Sequence, residues 1–370
     1  MSSQEQSQLS ATGSMLLQGF DYLELYVGNA RQAAHYYRTA FGYQLLAYAG
    51  PETGVRDRVS FVVAQGEIRL VLTSATTPES EIAEHFHLHD DGVKDIAFTV
   101  ADAAAAFEQT VSNGAKPVME PTVLEDRNGQ LVKATVAVFG DTVHSFIQRR
   151  DYDGVFAPHY SPIPGAPAAK ETGLMRLDHL AIGVEPGMGD SWVEFYARTL
   201  GLSKSQHEEI SSDYSGMKTH VVRDGSDRTI FVIVEPVAGK RKSPIEEYLS
   251  SYGGAGVHHI AVLSADIIAT VGALRANGIE FAWPPETYYE GLTERVGPIE
   301  AGVDALREHS ILVDRDEWGY LMQIFAKPAQ TRPTYFFEVI QRVKARGFGN
   351  GNIKALFEAI EREQLRRGNA

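Results

Sequence analysis

The sequence predicts a duplicated α+β protein of two similar domains, and three observations predict it. Its 370 residues exceed the roughly 250–300 at which a single hydrophobic core stops growing. The chain repeats itself: FDYLELYV (20–27) followed by AAHYYRTAFGYQLL (33–46) resembles LDHLAIGV (177–184) followed by WVEFYARTLGLSK (192–204). Within each copy, β-branched runs alternate with helix-like runs, giving two βα-type units per copy, four in all, and intervening strands.

Taken in order, the opening MSSQEQSQLSATGSM is polar and lacks a basic segment followed by an apolar one. It reads as a loose tail, not a signal peptide, and a cytoplasmic protein is the expectation. The first domain is expected over 18–150. Its strand 20–27 leads into the helix 33–46, and DGVKDIAFTVADAAAAFEQTVSNGAKPV (91–118) forms a strand and an Ala-rich helix stopped by Asn-Gly. GAGVHHIAVLSADIIATVGALRANGIEFA (254–282) matches that unit. Late in each copy a strand ends in Ile-Gln-Arg, in HSFIQRR (144–150) and FFEVIQR (336–342). Between the copies, 151–173 holds four prolines and three glycines and reads as a surface linker. The second domain is expected over 174–342. A Gly-rich hinge (345–352) then opens the last segment, 343–370, where Ile353, Leu356, Phe357 and Ile360 fall on one helical face. Such a helix is either a terminal cap or a lid.

Composition narrows the chemistry. Lys+Arg 34 against Asp+Glu 48 leaves a net charge of −14, which repels phosphate backbones and anionic lipid, so neither nucleic acid nor membrane is an expected partner. No apolar run reaches the roughly 18 residues of a spanning helix. The absence of cysteine excludes disulfides, thiolate nucleophiles and Cys-ligated metals, so any metal must be held by nitrogen and oxygen. No strand-to-helix phosphate loop is present, which argues against nucleotide cofactors.

Duplication supplies an internal control: what the shared fold needs recurs, and what a site needs in one copy differs. His179 in LDHL faces Tyr22 in FDYL, His259 in VHHIA faces Asp95 in VKDIA, and Glu338 in FFEVIQR faces Ser145 in HSFIQRR. Two imidazoles and a carboxylate specific to the second copy form the donor set of a facial triad for non-haem Fe(II), with adjacent positions open for substrate and dioxygen. The bland alternative is three core or surface residues that never meet. Strand alternation would put His258 and His259 on opposite faces, so only one could serve the metal. A rival cluster, His85, His87 and His89 in HFHLHD, would share a face on a strand but spread around a helix; a solvated helix end is its bland reading.

At these residues, and through KRKSPIEEYLSSYGGAGVHHIA, DRDEWGYLMQIFAKPAQTRPTYFFEVIQR and GFGNGNIKALFEAIEREQLRRGN, the chain resembles the 4-hydroxyphenylpyruvate dioxygenases and the related hydroxymandelate synthases over nearly its whole length. The resemblance implies a duplicated vicinal-oxygen-chelate fold, two barrel-like domains of βαβββ modules with Fe(II) only in the second, ligated by His179, His259 and Glu338. It implies a 2-oxo acid that chelates the iron through its carboxylate and keto oxygens, and dioxygen as co-substrate. Oxidative decarboxylation and hydroxylation of 4-hydroxyphenylpyruvate would give homogentisate or 4-hydroxymandelate. It further implies a pocket walled by Gln323, Phe325, Phe336, Phe348 and Phe357, and a homodimer or homotetramer.

Departures from the family pattern concentrate where substrate is chosen. The usual Asn-Glu-Pro is Val234-Glu235-Pro236, the usual Lys-Ser-Gln-Ile is Lys242-Ser243-Pro244-Ile245, and the usual Gln before the second His ligand is His258. Thr219 stands for a Ser, and Ile353 for a Phe that lies over the ring. Two lost amides remove hydrogen bonds that orient a polar substrate. The departures leave open a rotated pose that gives a mandelate, or a less polar substrate such as phenylpyruvate or a branched alkyl 2-oxo acid. His258 could instead be a pocket group titrating near neutrality. A non-catalytic small-ligand-binding protein of the same fold is the competing class.

Overall fold

The computed structural model describes residues 17–211, 215–284, 286–349, 351–352 and 354. The tail expected over 1–15, and the terminal helix with Ile353 and Phe357, lie outside the described residues.

The first half contributes β1 (Phe20–Tyr26), β2 (Gln44–Ala49), β3 (Arg58–Gln65), β4 (Ile68–Ala75), β5 (Gly92–Thr99), β6 (Lys116–Asp126), β7 (Gly129–Ala137) and β8 (Val143–Tyr152). The segment expected to be a linker adds a short β9 (Ser161–Pro162). The second half contributes β10 (Leu174–Gly183), β11 (Ser203–Ser211), β12 (Gly216–Arg223), β13 (Ile230–Val237), β14 (Gly256–Ser264), β15 (Leu312–Arg315), β16 (Tyr320–Phe325) and β17 (Phe336–Val343). One sheet runs β6-β7-β8-β5-β1-β4-β3-β2-β9 and the other β15-β16-β17-β14-β10-β13-β12-β11, so the two correspond strand for strand apart from β9. In each, the two central strands pair antiparallel (β1 with β5, β10 with β14), and each pairs in parallel with one outer neighbour. The α+β duplicated architecture is the one the repeat predicts.

Helices Ala30–Ala40, Ala103–Ser112, Gly189–Leu200 and Ile267–Ala276 follow the four central-module strands β1, β5, β10 and β14. Asp102 and Asp266 cap their helices identically, each side chain accepting from the backbone N–H three residues on. Asn113-Gly114 and Asn277-Gly278 stop the same two helices, the glycines taking φ +99° and +94°. The helix expected over 33–46 is shorter: it ends at Ala40, Gly42 turns with φ +76°, and Gln44 already belongs to β2. One hydrophobic core runs through both halves. His144 of β8 stacks on Phe231 of β13 at 5.6 Å and meets the Tyr196 hydroxyl at 3.0 Å. Among the described residues no helix is long and apolar enough to cross a membrane.

Candidate active site

The second sheet brings His179, His259 and Glu338 together through its register. On β14, Ala261 pairs with His179 of β10 on one side and Glu338 of β17 on the other, and His259 lies two residues along the same strand. Period-two alternation therefore directs all three side chains to one face. The His179 Nε2 and His259 Nε2 atoms lie 3.5 and 3.4 Å from Glu338 Oε2, and the rings cross at 80°. Ligand atoms held about 2.1 Å from one ion at tetrahedral to octahedral angles sit about 3.0–3.4 Å apart, so this donor set fits a divalent metal.

Each imidazole has its other nitrogen engaged. His179 Nδ1 lies 2.8 Å from Asp178 Oδ2, and Arg342 grips the same carboxylate from Nε and Nη2 at 2.8 Å each. Burial opposes a charge on Asp178, but Arg342 and His179 outweigh it and hold the carboxyl far below the usual range. Burial likewise lowers His179, and the Glu338 and Asp178 carboxylates reverse this, raising it to about 8. His259 Nδ1 lies 3.1 Å from His258 Nδ1. Two such atoms bond only when one is protonated and the other bare. When His259 presents a bare Nε2, its Nδ1–H donates and His258 accepts. Both nitrogens opposite the donor face are thus fixed by neighbours, the arrangement that orients metal-ligating histidines. Gln323 Nε2 donates to Glu338 Oε1 at 2.8 Å and to the Phe348 carbonyl at 3.2 Å, and Gln323 Oε1 accepts from Asn352 at 3.0 Å.

Around the three donors lies a cavity lined by Met217, Thr219, Val232, Val234, Pro244, Ile245, His258, Gln323, Phe325 and Phe348. Thr219 of β12 and Val234 of β13 are cross-strand partners. Pro244 and Ile245 open the helix Pro244–Tyr252, which the Ser243–Glu246 capping box fixes in place. Phe336 does not line the cavity; it backs it, stacking on His259 at 5.1 Å and 24°. Ile353 and Phe357 lie outside the described residues.

Two expectations fail here. His258 and His259 do not diverge, because the register slips at His258: Ala181 pairs with His259 and the next residue, Ile182, with Val257. This bulge lets consecutive rings approach and both line the cavity. Nor does His258 titrate near neutrality, since burial pushes it down to about 4. Met217 and Val232 went unread although each lies two residues from an expected lining residue, Thr219 and Val234. Asp178 and Arg342 also went unread, although Asp and Gln-Arg recur in both copies.

The rival histidines form the helix Glu81–His89, where His87 is exposed but His85 and His89 are buried, not solvated. One turn apart, these two share a face and meet Asp141.

A model of the glyoxalase/bleomycin resistance protein/dioxygenase superfamily matches residues 19–142 and 176–324. The chain is 41% identical to a 4-hydroxyphenylpyruvate dioxygenase of Aspergillus fumigatus, over 95% of this chain and 94% of that protein. It is 40% identical to one of Dictyostelium discoideum, over 95% and 100%. A mutant of 4-hydroxymandelate synthase from Streptomyces coelicolor superposes with a TM-score of 0.86 at 36% identity, covering 95% of this chain and all of that one.

Proposed function

The chain belongs to the 4-hydroxyphenylpyruvate dioxygenase family, is an enzyme, and on that premise we propose that it is an Fe(II)-dependent dioxygenase oxidatively decarboxylating and hydroxylating 4-hydroxyphenylpyruvate. The observation that carries this reading is the convergence of His179, His259 and Glu338, each steadied from behind, on one apolar cavity. Iron bound there would activate dioxygen and polarise the 2-oxo acid. The protein's own part is geometric and electrostatic. Asp178 keeps the proton on His179 Nδ1, and Gln323 turns Glu338 so that Oε2 faces both histidines. Val234, Pro244, Ile245 and Phe325 exclude water around the substrate side chain. In this reading the second half, 174–342, performs the chemistry and 18–150 supports it.

One observation favours a less polar substrate. Apart from the three donors, the polar side chains lining the cavity among the described residues are Thr219, His258 and Gln323, and Gln323 is already bonded to Glu338, Phe348 and Asn352. Among the described residues a phenol hydroxyl finds its partners at Thr219 or His258, and one left unpaired would lose about 1–3 kcal/mol. The test is anaerobic Fe(II) loading, addition of each 2-oxo acid with dioxygen, and product identification by mass spectrometry and NMR. Homogentisate or 4-hydroxymandelate supports 4-hydroxyphenylpyruvate. Turnover of phenylpyruvate or 4-methyl-2-oxopentanoate alone supports the second reading. Iron uptake without oxygen consumption on any 2-oxo acid overturns both in favour of a binding protein.

A further inference from the structure

A second cluster of nitrogen and oxygen donors lies in the first half, away from the cavity. His85 and His89, one turn apart on the helix Glu81–His89, face Asp141 from the turn between β7 and β8, and the three offer ligand atoms within 4.8 Å of one another. Both histidines are almost fully buried, at 4% and 3% exposure, while the Asp141 side chain is 37% exposed and leaves a path from solvent.

His89 Nδ1 lies 2.6 Å from the Tyr252 carbonyl oxygen, which can only accept, so Nδ1 carries a proton and the neutral ring presents Nε2 as its lone-pair nitrogen. Nε2 lies 3.5 Å from Asp141 Oδ2, close to the spacing of two ligands on one ion and the same as between Glu338 and His179 in the cavity. His85 Nδ1 lies 2.7 Å from the same oxygen. Three buried atoms of the cluster, His85 Nε2, His89 Nε2 and Asp141 Oδ1, have no hydrogen-bond partner among the described residues. Unmet buried lone pairs are costly, and a cation bound beside Asp141 would satisfy that of His89 Nε2. The cluster also sits in the last helical turn, where the backbone carbonyls favour positive charge. Against it stands Lys94, whose Nζ lies 3.3 Å from Asp141 Oδ2 and donates to the Asp141 carbonyl.

We propose that His85, His89 and Asp141 form a second metal site, taking a borderline divalent cation of the zinc or cobalt type with water completing its shell. The donor set of two imidazoles and one carboxylate selects such ions over calcium or magnesium, which demand oxygen. The site is a seam fastener. His89 belongs to the first half and stacks at 4.4 Å on Tyr252, the last residue of the helix whose first residues, Pro244 and Ile245, wall the cavity. Lys94 weakens the site, so its removal strengthens it.

The probe is Co2+, added to the full chain carrying His179→Ala and Glu338→Ala, which disables the donor set of the cavity. Equilibrium dialysis and visible absorption are the readouts. The expected result is about one Co2+ per chain with d–d bands of a low-coordinate ion. Adding His89→Ala or Asp141→Asn abolishes both, and Lys94→Met tightens binding by about tenfold or more. Asp141 lies in a partly exposed turn, so Asp141→Asn stands as the folded control should His89→Ala fail to fold by circular dichroism. No Co2+ uptake in the His179→Ala, Glu338→Ala chain overturns the proposal, as does uptake that Asp141→Asn and Lys94→Met both leave unchanged.

Discussion

At the centre of the first sheet, Asp95 accepts hydrogen bonds from Tyr22 at 3.2 Å, Ser145 at 2.7 Å and Lys133 at 2.9 Å. Asp95, Tyr22 and Ser145 stand where His259, His179 and Glu338 stand in the second, with Ala97 between Tyr22 and Ser145 as Ala261 is between His179 and Glu338. Lys133 of β7 pairs with Ile147 of β8, as Gln323 of β16 pairs with Ile340 of β17, so lysine and glutamine are equivalents. The first half supplies its own cation at the end of a side chain. The second half puts a neutral amide there and sets the three candidate metal donors, His259, His179 and Glu338, where the first half has one carboxylate acceptor and two hydroxyl donors. Behind both centres the same Asp–Arg pair survives: Asp21 with Arg149, and Asp178 with Arg342. In the first half Asp21 also takes the Thr99 hydroxyl, and in the second Asp178 takes His179. A structural brace already present has thus become the support of a candidate ligand.

The sharpest way to break this equivalence is to import the lysine. Gln323→Lys sets an ammonium against Glu338, and iron content falls from about one per chain to near none with activity lost; iron analysis and oxygen uptake read it, and retained iron would refute the equivalence. Next, Lys133→Met strands the Asp95 carboxylate, 3% exposed, and costs about 3–5 kcal/mol in urea unfolding, while iron stoichiometry stays unchanged.

The third test uses acid. Burial pushes His144 down to about 4, and the equivalent position in the second half is Phe337. Because the folded value lies below the unfolded one of about 6.5, His144 costs no stability above that pH and up to about 3 kcal/mol as pH falls from 6.5 towards 4. His144→Phe should flatten the stability profile in that window; an unchanged slope would mean the imidazole does not titrate as buried. Smaller still is Asp178→Asn, which leaves the shape but weakens the hold on His179. Iron affinity should fall about 10–100-fold, with no such fall in Asp21→Asn; equal effects would erase the distinction. Last, Val234→Asn with Ile353→Phe should shift the product ratio between homogentisate and 4-hydroxymandelate, read by mass spectrometry.

Much of this was legible in the sequence because duplication lets one half control for the other. The donors differ between copies while the strands around them do not, so they stood out before any geometry. The rest was hidden for local reasons. A bulge is a change of register, which a period-two pattern does not reveal, and it brought His258 round to the cavity. HFHLHD is too short to separate a strand from a helical turn, so the pairing of His85 with His89 and a distant Asp141 was invisible. Lys133 reaches its partners from a different strand, and only the sheet order shows that Gln323 is its counterpart.

Ala261 is the shared neighbour of His179 and Glu338, it is fully buried, and the first half keeps Ala97 in the same place. A residue with no heteroatom thereby acts as the gauge block of the donor set, since any longer side chain would occupy the space where the donor atoms meet. A saturation screen scored by activity would rank Ala261 beside the histidines. Essentiality at that position would measure tolerance of volume, not chemistry, and the two are told apart only by asking whether Gly is accepted where Val is not.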